Sequence, residues 1–100
     1  MGASGTGTDR HRFAVRVEVT PRAGIRDPEG AAIERALASL GYPDVTGVHV
    51  GKLITLSVGA TDPEEARHRV DEMCRRLLAN PVIEDYRIEV PGEVATERVP

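Results

Sequence analysis

Apolar and polar positions alternate most strictly over residues 46–58, where Val48, Val50, Ile54, Leu56 and Val58 share one parity and only Lys52 interrupts them. A period of two over such a length is the pattern of a half-buried β-strand. The competing reading is a hairpin turning at Gly51-Lys52, since a two-residue loop that begins with Gly suits a type II′ turn. That hairpin would set Val50 opposite Leu53 and Val48 opposite Thr55, and would turn Ile54, Leu56 and Val58 to solvent. Parity therefore favours one long strand, bent near Gly51, where the missing side chain permits a tight bend. It exceeds the usual strand length of about five or six residues, so its far end is expected to overhang its own sheet and pair with something else.

The same grammar organises the rest of the chain. Phe13, Val15, Val17 and Val19 alternate with Ala14, Arg16 and Glu18, which predicts a first strand that Pro21 ends. Residues 22–26 form a loop around Gly24, and Asp27-Pro28-Glu29 then announces a helix. Asp caps free backbone N–H groups, Pro is pre-set for the first helical position, and Glu suits the positive first turn. Ile33, Ala36, Leu37 and Leu40 recur at the spacing of a core-facing stripe, Gly41 supplies the stop, and Tyr42-Pro43-Asp44 is a turn. Thr61-Asp62-Pro63-Glu64-Glu65 opens a second helix, with Glu65 in the capping-box position after Asp62. Ala66, Val70, Met73, Cys74, Leu77 and Leu78 make its apolar face, and Asn80-Pro81 closes it. Tyr86, Ile88 and Val90 alternate with Arg87 and Glu89 as a last strand that Pro91-Gly92 ends.

The order is β-α-β-α-β, which predicts an α+β fold with two helices on one face of a small sheet and a long central strand bent near Gly51. The other face carries Leu53, Thr55 and Ser57, which suits an interface as well as solvent. Residues 1–11, rich in Gly, Ser and Thr, read as a disordered leader, 12–91 as a single domain, and 92–100 as a flexible tail. Asp-Pro-Glu recurs at 27–29 and 62–64; a duplicated strand–helix unit and shared capping chemistry explain it equally well.

Composition narrows the function classes. A chain of 100 residues is one domain. At this size only about 60–70 % of the unfolded surface is buried, so oligomerisation is a natural supplement to a small core. Hydrophobic residues are 40 % and aromatics 3 %, which makes that core aliphatic. A net charge of −3 with no basic run argues against nucleic acid as a partner, and so does the lack of aromatic stacking platforms. One cysteine means no internal disulfide, as in a cytosolic protein. No apolar run approaches the roughly 20 residues of a membrane span, and the start lacks a signal-peptide core. The expectation is a cytoplasmic protein with neither membrane nor nucleic acid as a partner.

The search for chemistry yields contact residues rather than catalysts. Gly51-Lys52 lacks the rest of a phosphate-binding loop. His11, His49 and His68 lie in different elements and form no ligand spacing with Cys74. Cys74 falls on the buried stripe of the second helix, where a thiol without an electropositive neighbour is inert. Glu84 and Asp85 are adjacent strand residues, so they point to opposite faces and cannot act together on one substrate atom. Asp27 and Asp62 fill the helix N-termini that could otherwise hold an anion. Lys52 is the single lysine among 13 basic residues and stands mid-strand beside a glycine. It either blunts an exposed edge or makes a functional contact.

Three stretches together carry a family resemblance: Thr20-Pro21-Arg22-Ala23-Gly24 with Asp27-Pro28-Glu29-Gly30, then Val48-His49-Val50-Gly51-Lys52, then Glu72-Met73-Cys74 through Asn80-Pro81-Val82-Ile83-Glu84-Asp85-Tyr86. From about residue 12 to 90 the chain resembles the PurS subunit of bacterial phosphoribosylformylglycinamidine synthase. Arg22, Arg26 and Glu29 stand where that family more often has Lys, Leu and Gln. The resemblance implies an accessory subunit with no chemistry of its own, assembled as a homodimer or higher oligomer with its sheet extended by dimerisation. It would bridge a synthetase subunit and a glutaminase subunit that supplies ammonia. The complex uses ATP, Mg and glutamine to convert formylglycinamide ribonucleotide to formylglycinamidine ribonucleotide in purine biosynthesis. Lys52, Glu84, Asp85 and Tyr86 are the expected partner interface, and Val48, Val50, Ile54 and Leu56 the dimer or core strand. No catalytic, cofactor-binding or metal residue is expected in this chain. The alternatives are a free-standing ferredoxin-like regulatory domain that binds a small molecule, and a stand-alone small isomerase with a hidden acid–base pair.

Overall fold

A computed structural model describes residues 11–94; of the leader expected over residues 1–11, His11 belongs to the first strand, and the rest of it and the last six tail positions lie outside the described residues. Three strands form one antiparallel sheet: β1 (His11–Pro21) in the middle, β2 (Lys52–Ala60) on one side and β3 (Glu84–Val94) on the other. Between them come helix α1 (Pro28–Ser39) and helix α2 (Pro63–Met73), which runs on as a π-helical turn (Cys74–Leu78). The α+β class and the β-α-β-α-β order expected from the pattern are thus present. The alternating residues of β1 give the core its spine: Phe13, Val15, Val17 and Val19 are all buried. Ile54 and Leu56 of β2 pair with Val17 and Val15, and Ile88 of β3 faces Val17 from the other side, so parity places them on the same face.

β3 does not end at Pro91-Gly92 as expected but continues to Val94. Ala14 pairs with Gly92 and Arg16 with Glu89, so Val15 alone faces both Val90 and Pro91. This β-bulge is where a residue without an N–H can sit in a strand without breaking a ladder bond.

α2 covers the core face of the sheet with Ala66, Val70 and Cys74, all fully buried. Asp62 accepts the Glu65 N–H at 2.7 Å, while the Glu65 carboxylate reaches back to the Thr61 N–H at 2.6 Å, one residue earlier than in a standard capping box. Leu77 departs from the expected apolar face and is 82 % exposed. The π turn explains it: the Ala79 N–H bonds to the Cys74 carbonyl, an i→i+5 span that inserts one extra residue and delivers Leu78 to the core instead. Leu77→Ser is therefore expected to change stability by no more than about 0.5 kcal/mol. Leu78→Ser should cost several times that, and urea melts of the two variants check it.

α1 is not spread over the sheet face as the pattern put it: its contact with the strands is marginal, whereas α2 packs against all three. The long strand expected over 46–58 enters the sheet only from Lys52 and forms an edge rather than the centre. Residues 45–50 overhang: continued from Val19 and Lys52, the register puts Val50 opposite Pro21, which has no N–H to donate, and Val48 beyond the end of β1. α1 supplies the missing partners. The Val50 N–H donates to Asp27 Oδ2 at 2.8 Å and the Val48 N–H to Glu34 Oε1 at 3.3 Å. A helix clamped to an overhang lies beyond the end of the sheet. Its own end is a Schellman cap, with Tyr42 N–H bonded to the Leu37 carbonyl, Gly41 N–H to Ala38, and Gly41 at φ +104°.

Candidate functional site

The end of the sheet from which this arm departs gathers most of the expected contact residues. Lys52 and Tyr86 both pair with Val19, one from each side. With strands about 4.8 Å apart their backbones stand roughly 10 Å from one another, so the structure brings together two positions far apart in sequence. Asp85 pairs with Thr20 and Glu84 with Pro21 in the next two rows. Lys52 is exposed, whereas Tyr86 is half-buried and donates its hydroxyl to Asp71 Oδ1 at 2.6 Å. That bond to a carboxylate, with some burial and the Asp71 charge, holds the phenol above its ordinary pKa.

Glu84 and Asp85, which the pattern left without a role in folding, both have one. Glu84 Oε1 accepts the Asn80 N–H at 2.8 Å, and the Glu84 N–H returns to the Asn80 carbonyl at 2.7 Å. Asp85 lies 3.6 Å from Arg22 Nε. Arg22, read from sequence as a loop residue and as a departure from the family's usual Lys, is the organiser of this corner. Its N–H donates to the Ile83 carbonyl and its guanidinium to the Pro81 carbonyl. Its place directly after a strand-ending proline was the one available signal.

The arm is fixed by a second polar centre. Asp27 not only caps α1 through the Gly30 N–H at 3.0 Å but also takes Val50 N–H, with His49 Nδ1 3.6 Å from the same carboxylate. The bond to Gly30, then that to Val50, and to a smaller degree His49, hold the Asp27 carboxyl below its ordinary pKa. A depressed carboxyl pKa contributes stability that is complete above the unfolded-state value and is lost as pH falls through the folded one. The Gly30 and Val50 amide resonances are therefore expected to titrate together below the usual Asp range. Titration at or above that range would show that Asp27 does not bridge the two segments. Val48 and Val50 are half-buried on this overhang, separate from the sheet core that Ile54 and Leu56 join.

Elsewhere, polar groups serve the fold. Burial and the charge of Asp71 raise the Cys74 thiol pKa against a smaller opposing effect of Arg75, which suits a core side chain rather than a nucleophile. A groove of about 510 Å³ between α2 and β3 is lined by Arg67, His68, Asp71 and Tyr86 among others. Arg67 in it donates to the Ile88 carbonyl. On the far side of the sheet Glu18 pairs with Arg87 at 2.8 Å and Arg16 with Glu89 at 3.2 Å. Among the described residues no three His, Cys, Asp or Glu side chains converge as a metal site, and no helix is long and apolar enough to cross a membrane.

Fold and site together define a small α+β protein whose three-stranded sheet is covered by one helix, while a second helix is held clear on an arm. The family model described as PurS, phosphoribosylformylglycinamidine (FGAM) synthase, matches residues 14–92, and the chain belongs to that family. It is 42 % identical over 83 residues to the phosphoribosylformylglycinamidine synthase subunit PurS of Bacillus subtilis, covering 83 % of this chain and 98 % of that one. The PurS subunit crystal structure from Thermotoga maritima superposes with a TM-score of 0.75 at 36 % identity, over 81 % of this chain and 93 % of that one. A chain in the structure of PurLQS from the same organism matches with a TM-score of 0.73 at 37 % identity, over 79 % and 96 %.

Proposed function

We propose that this chain is the accessory subunit of a cytoplasmic phosphoribosylformylglycinamidine synthase, bridging the synthetase and glutaminase subunits as a homodimer and performing no chemistry itself. The observation that carries the reading is the family match over nearly the whole described chain, joined to a structural neighbour, PurLQS of Thermotoga maritima, whose name is that of a three-part assembly. ATP, magnesium and glutamine are then handled by the partner chains. The homodimer is supported by the arm: the stripe of α1 has little sheet beneath it, leaving Ile33 39 % and Leu40 72 % exposed. In this reading Val48 and Val50 support the dimer while Ile54 and Leu56 serve the core, and Lys52, Glu84, Asp85 and Tyr86 face a larger partner. A free-standing small-molecule regulator is not favoured, since the relatives are named as synthase subunits. Adding the chain to purified synthetase and glutaminase subunits should raise glutamine-dependent synthesis far more than ammonia-dependent synthesis. Equal activity with and without it would overturn the proposal.

A further inference from the structure

The turn between α2 and β3 exposes two aliphatic side chains at its tip, Val82 at 75 % and Ile83 at 40 %. Exposure alone would be unremarkable at a loop. What sets this turn apart is that its backbone polar groups are already satisfied from within. The Val82 N–H donates to Asn80 Oδ1 at 3.1 Å, the Ile83 N–H to the Asn80 carbonyl at 3.1 Å, and the Asn80 N–H to Glu84. Arg22 takes the Pro81 and Ile83 carbonyls through its guanidinium and its own N–H. Among the described residues only the Val82 carbonyl of this tip is left over. An ordinary loop stays at the surface because burial would strand its backbone groups. This one can be buried with almost no such cost, and its shape is set before any partner arrives, which lowers the entropic cost of docking.

We infer that the Val82-Ile83 tip is a pre-formed plug that enters an apolar pocket on the larger synthetase subunit, a pocket whose rim carries Arg or Lys. This rests on the function proposed above and names the contact within it. The basic rim follows from Glu84 and Asp85, which flank the plug; the Asp85 side chain is 67 % exposed even with Arg22 beside it. The same pair argues against a second copy as occupant. A two-fold contact centred on this turn would set the carboxylates of both copies against each other. Two aliphatic side chains also fall far short of the roughly 1,000 Å² that a stable interface buries, so the plug is an anchor inside a larger contact.

The test measures binding of the full chain to the purified synthetase subunit by calorimetry, with the melting temperature and oligomer mass recorded for each variant. Val82→Asp should weaken binding by about tenfold or more while the melt and the oligomer mass stay as in the unmodified chain. Arg22→Ala, which keeps both plug side chains but unfastens the turn, should also weaken binding, by a smaller factor. Unmodified chain that binds while Val82→Asp binds within twofold of it would overturn the plug and leave the proposed function standing. A changed oligomer mass would make the occupant a second copy, and a much lower melt would make Val82 part of the fold; either overturns the inference. If the unmodified chain itself does not bind, the proposed function fails and the plug falls with it.

Discussion

Val17→Asp is expected to leave the chain unfolded at 25 °C. Val17 is 0 % exposed at the centre of the middle strand, paired with Ile54 on one side and Ile88 on the other, in one buried cluster with Val70. A carboxylate there would have no cation within the core and would either stay charged in an apolar environment or protonate at a cost. The exceptional class of point mutations, above about 4–5 kcal/mol, arises from this kind of burial. A domain of this size holds only about 5–15 kcal/mol in total, and its small core leaves it toward the lower end. The neighbouring residue supplies the contrast. Glu18 points to the other face, where its pair with Arg87 has side chains 41 % and 72 % exposed. Such a pair is screened by solvent and contributes little, so Glu18→Ala should melt almost like the unmodified chain. Far-UV circular dichroism and urea melts of both variants decide the matter. A near-normal cooperative melt for Val17→Asp would mean that β1 is not the covered middle strand.

That contrast between adjacent residues is what a sequence can state on its own, because period two maps directly onto two faces. β1 and β2 were legible for that reason, and the helix starts were legible because Asp-Pro-Glu carries its capping chemistry locally. Three things were not. Period cannot say which element a face is buried against, so the parity of Val48 and Val50 reads identically whether a strand or α1 lies beneath them. A π turn leaves no local signature in Cys74–Leu78, yet it decides that Leu78 rather than Leu77 is inside. Polar partners distant in sequence were invisible as well. Asp27 was legible as a cap, but nothing near it announces Val50 23 positions later. Glu84 and Asp85 looked surplus to the fold because Asn80 and Arg22, which engage them, are identified only by the tertiary turn.

Replacing Gly30 with Ala should release α1 from its overhang while leaving the sheet intact. In an ordinary exposed helix the exchange would gain up to about 1 kcal/mol, since Gly is the poorer helix former. Here the sign reverses. A Cβ on Gly30 would overlap the Val48 carbonyl oxygen and stand 2.8 Å from Asp27 Oδ2. The first obstacle is backbone, which cannot swing aside as a flexible side chain would, and the second is the carboxylate that holds the two segments together. The helix must therefore back away, and the Val50 bond to Asp27 and the Val48 bond to Glu34 lengthen or break. Overpacking of this kind costs about 1–3 kcal/mol. α1 has 12 residues and only marginal contact with the strands, and an isolated helix of about that length is marginal in water. The loss is thus expected locally, as amide exchange in α1 accelerating by about tenfold to a hundredfold while the amides of β1 and α2 keep their protection. Unchanged or slower exchange in α1 would show that the helix is not seated on residues 48–50. Uniform acceleration across β1 as well would show that arm and sheet fold as one unit.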